Sequence, residues 1–194
     1  LSKLTHLWLN YNGLYGVIPE FNPTQTALLF LYLQNNQLSG SIPASIHNLT
    51  GLTNLSLGNN DLTGNIPVGI GGLTNLDALN LQGNRLTGSI PSSIGGLSEL
   101  NYLILNSNAL EGPIPVEISN LPPLTNLNLS YNALYSTDAG LTAYLDANQS
   151  AWKATQTIAP TNLSVTSVSS DSVILDWDPI SYTADAGHYM VYYS

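Results

Sequence analysis

Apolar residues recur along this chain at a fixed interval. Leu7, Leu31, Leu55, Leu79, Leu103 and Leu127 lie 24 residues apart, and Leu9, Leu33, Leu57, Leu81, Leu105 and Leu129 follow in step. Asn12, Asn36, Asn60, Asn84, Asn108 and Asn132 form a third column, and Leu14, Leu38, Leu62, Leu86, Leu110 and Leu134 a fourth. Five of the six units continue through Gly16, Gly40, Gly64, Gly88 and Gly112 to Pro19, Pro43, Pro67, Pro91 and Pro115, whereas the sixth breaks off at Ser136. In each LxL segment two inward leucines flank an outward residue, the alternation of a short half-buried strand. The glycine permits a bend with positive φ, and the proline fixes φ and gives up an N–H, which suits the start of a helical turn. Ile46, Ile70, Ile94 and Ile118 then precede Leu49, Leu73, Leu97 and Leu121 by three, as on the inner side of such a turn. The first unit departs from this, with Asn22 and Gln25 in those columns.

A single unit of this size cannot bury a core. Stacked copies pair their strands at about 4.8 Å and merge the leucines, so six coils span roughly 25 to 30 Å. The Asn column at the strand exits is expected to hydrogen-bond backbone groups of its own coil and the next, because a buried polar group without a partner costs about 1 to 3 kcal/mol. After Ser136 the pattern changes. Asp138 to Asn148 places Leu141, Tyr144 and Leu145, with Trp152 beyond, at helical spacing behind a Ser-Thr-Asp capping signal, which predicts a short helix covering the open end of the last coil. Beyond Pro160, Leu163 and Val165, then Val173, Leu175 and Trp177, then Tyr189, Val191 and Tyr193, alternate with other residues as three short strands.

The six units, as in LTNLSLGNNDLTGNIPVGIGGL (Leu52 to Leu73), resemble the leucine-rich repeat, in its 24-residue plant-type form with an LxGxIP segment. The resemblance implies an α/β repeat, a right-handed solenoid with a parallel sheet on its concave face and a minor second sheet. Relatives of this type include receptor ectodomains, polygalacturonase inhibitors and bacterial surface proteins, most of which bind proteins or peptides. Familiar plant members carry cysteine-containing end caps, and this chain has no cysteine, so a bacterial surface protein is the closer expectation. The segment APTNLSVTSVSSDSVILDWDP is similar to the opening of a fibronectin type III module, a sandwich that needs about 90 to 100 residues. The expected organisation is a solenoid over 1–135, a helical C-terminal cap and linker over 136–159, and a partial β-sandwich tail over 160–194. Because Leu1 already reads as repeat sequence, the chain is expected to be a piece of a longer one.

Composition narrows the chemistry. The 194 residues carry 12 acidic and 3 basic side chains, a formal net charge of −9, and only 8% of them are charged, where an ordinary soluble domain carries about 25%. Lys3, Arg85 and Lys153 cannot form the basic stripe that nucleic acid or an anionic membrane surface requires. No run approaches 18 apolar residues, so membrane insertion is not expected. The absence of cysteine excludes disulfide scaffolds and thiol catalysis. His6, His47 and His188 stand in no recognisable catalytic arrangement. Asp176 and Asp178 read as solvent-facing strand residues, too sparse for calcium and without the cleft of a glycosidase. Gly71-Gly72 and Gly95-Gly96 are repeat turns, not phosphate loops. Neither an enzyme, a metal site nor a cofactor is expected.

Surface recognition remains. The outward positions of the concave sheet read as columns: Trp8, Tyr32, Ser56, Asn80, Ile104 and Asn128 in the middle, with His6, Phe30, Asn54, Ala78, Tyr102 and Asn126 beside them. His6, Trp8, Tyr11, Phe30 and Tyr32 cluster on the first two coils, the third and fourth are small and polar, and the fifth offers Tyr102 and Ile104. Tyrosine and tryptophan are enriched at binding hot spots. The expected site is therefore this aromatic patch with Asn54, Asn80, Asn126 and Asn128 as hydrogen-bonding groups, and the expected ligand is a protein or peptide in an extracellular or cell-surface, adhesive setting. A glycan is the alternative ligand, since aromatic rings and amides suit sugars, and a rigid spacer that binds nothing is the alternative role. Sequons at Asn48, Asn54, Asn128, Asn148 and Asn162 are compatible with secretion but follow from the repeat itself. Open C-terminal strands or an uncapped N-terminal end would favour self-association.

Overall fold

The structure, a computed structural model, describes residues 3–156, 164–168 and 173–176. The chain divides into two compact units, Leu1–Gln156 and Thr157–Ser194. In the first, each coil contributes two strands: β1 (His6–Trp8) and β2 (Tyr15–Val17), β3 (Phe30–Tyr32) and β4 (Gln37–Ser41), β5 (Asn54–Ser56) and β6 (Asp61–Gly64), β7 (Ala78–Asn80) and β8 (Arg85–Gly88), β9 (Tyr102–Ile104) and β10 (Ala109–Pro113), β11 (Asn126–Asn128) and β12 (Ala133–Tyr135). The odd-numbered strands form one six-stranded parallel sheet and the even-numbered strands a second. This is a leucine-rich repeat solenoid.

The two sheets differ in register. In the first, Leu7 lies beside Leu31 and Leu31 beside Leu55, one repeat apart. In the second, Gly16 lies beside Leu38, Gly40 beside Leu62 and Gly112 beside Leu134, an interval of 22 (38 − 16). Each coil is thus staggered by two residues against its neighbour on that side, about 7 Å of strand. The glycine at this point has φ between 70° and 89° in all five coils that carry it, a conformation that favours a residue without Cβ.

Past the proline, Ala44–Asn48, Val68–Gly72, Ser92–Gly96 and Val116–Asn120 form short 3-10 helices, each preceded by the proline in extended backbone. Their isoleucines, Ile46, Ile70, Ile94 and Ile118, are buried in the core with the leucine columns. The first coil has no such helix; there Gln25 N–H donates to the Asn22 carbonyl at 2.9 Å.

Helix α1 (Ala139–Asn148) follows the last coil. Asp138 caps it by accepting from Leu141 N–H at 2.7 Å, and Leu141 and Leu145 are buried. Trp152 stands beyond the end of α1, in a turn, and is buried. In the second unit β13 (Ser164–Val168) and β14 (Val173–Asp176) pair antiparallel, with a register shift between Val165 and Ser167. The expected third strand, Tyr189 to Tyr193, lies outside the described residues, as do Trp177, Asp178 and His188.

Candidate binding face

From β3 to β11 each odd strand buries its central leucine and turns the residues on either side outward, whereas Leu7 of β1 is half-buried. Leu31, Leu55, Leu79 and Leu103 are fully enclosed, so their neighbours form a continuous outward face. His6 and Phe30 stack with ring centroids 4.7 Å apart and an interplanar angle of 23°. Trp8 and Tyr32 lie nearly parallel, at 13° and 6.1 Å. His6 meets Trp8 edge-on at 5.5 Å, and Phe30 meets Tyr32 edge-on at 6.1 Å, so four rings form one cluster across β1 and β3. Such ring pairs contribute about 0.5 to 1.5 kcal/mol each beyond the area they bury. Trp8 nevertheless keeps 61% of its surface exposed.

Beyond Tyr32 the face sinks. A depression of about 270 Å³ is bounded by Tyr32 and Gln34 on one side and by Tyr102 and Ile104 on the other, with Ser56, Ala78 and Asn80 between them. Small side chains open it, since the strands beneath are in register from Phe30 to Ile104 and Ser56 and Ala78 stand between Tyr32 and Ile104. Five of the expected site residues, Tyr32, Asn54, Asn80, Tyr102 and Ile104, line it. Gln34 Oε1, at its edge, is buried and has no hydrogen-bond partner among the described residues.

The remaining expected residues are placed apart. Tyr11 belongs to the turn after β1, at φ 54°, and shares none of the ring pairs among the first-coil aromatics. Its column (Asn35, Asn59, Gly83, Ser107, Tyr131) repeats the left-handed conformation in every coil, which the alternation pattern does not reveal. Asn126 and Asn128 pair with Tyr102 and Ile104 in register, but Asn128 Oδ1 accepts from Gln149 Nε2 of the cap at 3.3 Å and from Ser130 N–H at 3.1 Å.

The Asn column is oriented backward, not forward. Asn60 Nδ2 donates to the Leu57 carbonyl in its own coil and to Leu33 in the preceding one, both at 3.0 Å, and Asn60 Oδ1 accepts from Leu38 N–H at 3.0 Å. Asn36, Asn84, Asn108 and Asn132 repeat these bonds. The carbonyl reached in the preceding coil is the own-coil partner displaced by one repeat, and the N–H accepted from that coil lies 22 residues back, the interval of the second sheet. Asn12, on the first coil, donates only to Leu9 and Asn10.

Sequence reading missed one rung. Gln156 stands 24 beyond Asn132; its Nε2 donates to the Leu129 carbonyl at 3.0 Å and its Oε1 accepts from Leu134 N–H at 3.0 Å. The repeat interval pointed to this position, but its neighbours no longer carry the leucine pattern. Gln149 Oε1 likewise accepts from Leu129 N–H at 2.8 Å, where earlier coils use the next strand's carbonyl.

Charge lies off this face. Arg85 pairs with Asp61, and Lys153 with Asp146, each at 2.8 Å. Hydrogen bonds from Lys153 and Trp152 hold the Asp146 carboxyl below its usual range, whereas burial pushes Tyr144 up. Among the described residues no group of three His, Cys, Asp or Glu could hold a metal, and no helix is long and apolar enough to cross a membrane.

Against known families, the leucine rich repeat profile matches residues 27–86 and 74–134. The chain belongs to the leucine-rich repeat family. Solved leucine-rich repeat structures resemble it closely. The PEPR1-AtPEP1 crystal structure aligns with a TM-score of 0.70 and 32% identity over 75% of this chain and 20% of that one. The ectodomain of the Arabidopsis receptor kinase HAESA, in complex with an N-terminally extended IDA peptide hormone, gives 0.67 and 32% over 80% of this chain and 24% of that one. The BIR2 ectodomain of Arabidopsis thaliana gives 0.59 and 32% over 69% and 72%. The leucine-rich repeat chain described here thus spans about a quarter or less of the first two. No curated protein sequence matches it.

Proposed function

We propose that this chain is an extracellular protein- or peptide-binding module that takes its ligand on the outward face of the sheet formed by the odd-numbered strands β1 to β11. One observation carries the reading: Tyr32, at the edge of the ring cluster of coils one and two, and the Tyr102–Ile104 pair of coil five stand on opposite sides of one depression in the outward face. That HAESA was crystallised with a peptide hormone supports a peptide over other ligands. The absence of cysteine supports a bacterial cell surface as the setting, and the antiparallel pair β13–β14 is compatible with a fibronectin-like neighbour. We place the working boundaries at 1–135, 136–159 and 160–194.

A neutral glycan is the second reading. The observation in its favour is that the face offers rings and amides without any formal charge. The test is binding of the chain to a panel of extracellular proteins, peptides and glycans, beside a variant combining Trp8→Ala, Tyr32→Ala and Tyr102→Ala. Hot-spot truncations cost about 2 kcal/mol or more each, so a true ligand should weaken at least tenfold while the unfolding temperature is retained. Equal binding by the variant would remove the aromatic site, and no ligand for the parent chain would leave the role of a spacer.

A further inference from the structure

We propose that the peptide segment seated on this face is uncharged, places an apolar side chain in the depression over Ala78, and donates an N–H to Gln34 Oε1. The inference rests on the peptide reading above and specifies its ligand. In the strands and exits of the six coils, residues 6–11, 30–35, 54–59, 78–83, 102–107 and 126–131, there is no Lys, Arg, Asp or Glu. Lys3, Asp77 and Glu99 lie on the approaches to the strands, and Asp77 is already engaged by Asn101 Nδ2 at 2.7 Å. A charged ligand group pressed onto such a surface would lose its water without meeting a counter-charge, a cost that a neutral group avoids.

The walls and floor define what fits. Tyr32, Tyr102 and Ile104 present apolar surface, while Ser56 and Ala78 leave the space between them open. Gly58 contributes by absence: a Cβ there would stand 2.9 Å from Asn80 Oδ1, so the glycine lets Asn80 lie across the third coil. Asn80 Oδ1 accepts from Gln82 N–H at 3.1 Å, which commits its carbonyl and leaves its NH₂ to donate to a ligand carbonyl. Gln34, half-buried at the edge of the depression, supplies the complementary acceptor when its side chain turns to bring Oε1, enclosed and without a partner among the described residues, to the opening, and a peptide N–H is the donor that every extended non-proline residue offers.

The experiment selects a fully randomised dodecapeptide library, displayed on phage, against the whole chain and in parallel against Ala78→Trp, which fills the depression from an outward strand position. The expected peptides are retained by the chain, are lost to Ala78→Trp, and carry no Asp, Glu, Lys or Arg in the segment that alanine scanning shows to be required. Their affinity changes by less than about twofold between about 50 and 500 mM salt, and Gln34→Ala weakens them by about five- to tenfold. Ile104→Ala, which removes a wall without adding bulk, gives the same answer should Ala78→Trp fail to fold. Peptides that need a charged residue and weaken steeply with salt, yet still depend on Ala78 or Ile104, would overturn the neutral ligand and leave the peptide reading standing. Peptides indifferent to both variants, or none at all, would bring down both.

Discussion

An asparagine in the middle of the stack and one on the first coil have the same sequence context and different surroundings. Asn84 is buried and serves the carbonyls of Leu57, Leu81 and Gln82 and the N–H of Leu62. Replacing it with alanine leaves these groups without partners. Asn84→Ala should therefore lower unfolding free energy by about 2 to 4 kcal/mol, whereas Asn12→Ala, at an exposed rung with bonds only to its own coil, should stay within about 0.5 kcal/mol. Urea titration of the two variants checks both. The column itself was legible from its spacing. Which neighbouring coil each amide serves was not, because the spacing is the same toward the coil before and the coil after.

At the scale of elements, the cap works by imitation. Gln149 and Gln156 supply to the last coil the acceptors and donor that a seventh coil would bring, and α1 adds Leu141 and Leu145 to the core. The cap is held together by Asp146, which accepts from Trp152 Nε1 at 2.9 Å and from Lys153 Nζ at 2.8 Å. A carboxyl whose pKa is lowered on folding contributes stability that is fully present above its unfolded value and disappears as pH falls through the folded one. Asp146→Ala should accordingly melt below the parent chain at pH 7, and the gap should close as pH drops below the usual carboxylate range. Calorimetry across that range measures it; a gap that persists in acid would mean that packing, not charge, holds the clasp. Helical spacing predicted α1 correctly from Leu141, Tyr144 and Leu145. It could not place Trp152, which packs into the cap through a turn after the helix has ended.

For the solenoid as a whole, the two ends are unlike. Leu9 and Leu14 are 39% and 37% exposed, while their counterparts Leu81 and Leu86 are fully buried. Beside them, Leu7, Val17, Ile18 and Phe21 line an apolar hollow of about 160 Å³ on the first coil. In a stack held by nearest-neighbour contacts, opening starts at a coil packed on one side only, as the first coil is among the described residues. Amide hydrogen exchange of this chain should show β1 and β2 least protected and the strands of coils three to five most protected. Uniform protection through all six coils would instead mean that the unit opens only as a whole.

Period, composition and alternation determine much here, because each repeat interacts only with its neighbours. A 24-residue interval with two inward leucines specifies strand, bend and turn in every coil, and the stacked sheet follows without long-range information. The outward columns of the face, and its lack of charge, can be read the same way. What needed the folded chain was everything that depends on how far one coil slides along the next, or on how large a side chain stands beside how small a one. The direction in which the asparagines reach, toward the preceding coil, is one such property. The hollow over Ala78 exists because Tyr32 and Ile104, distant in sequence, face each other across two coils of small residues.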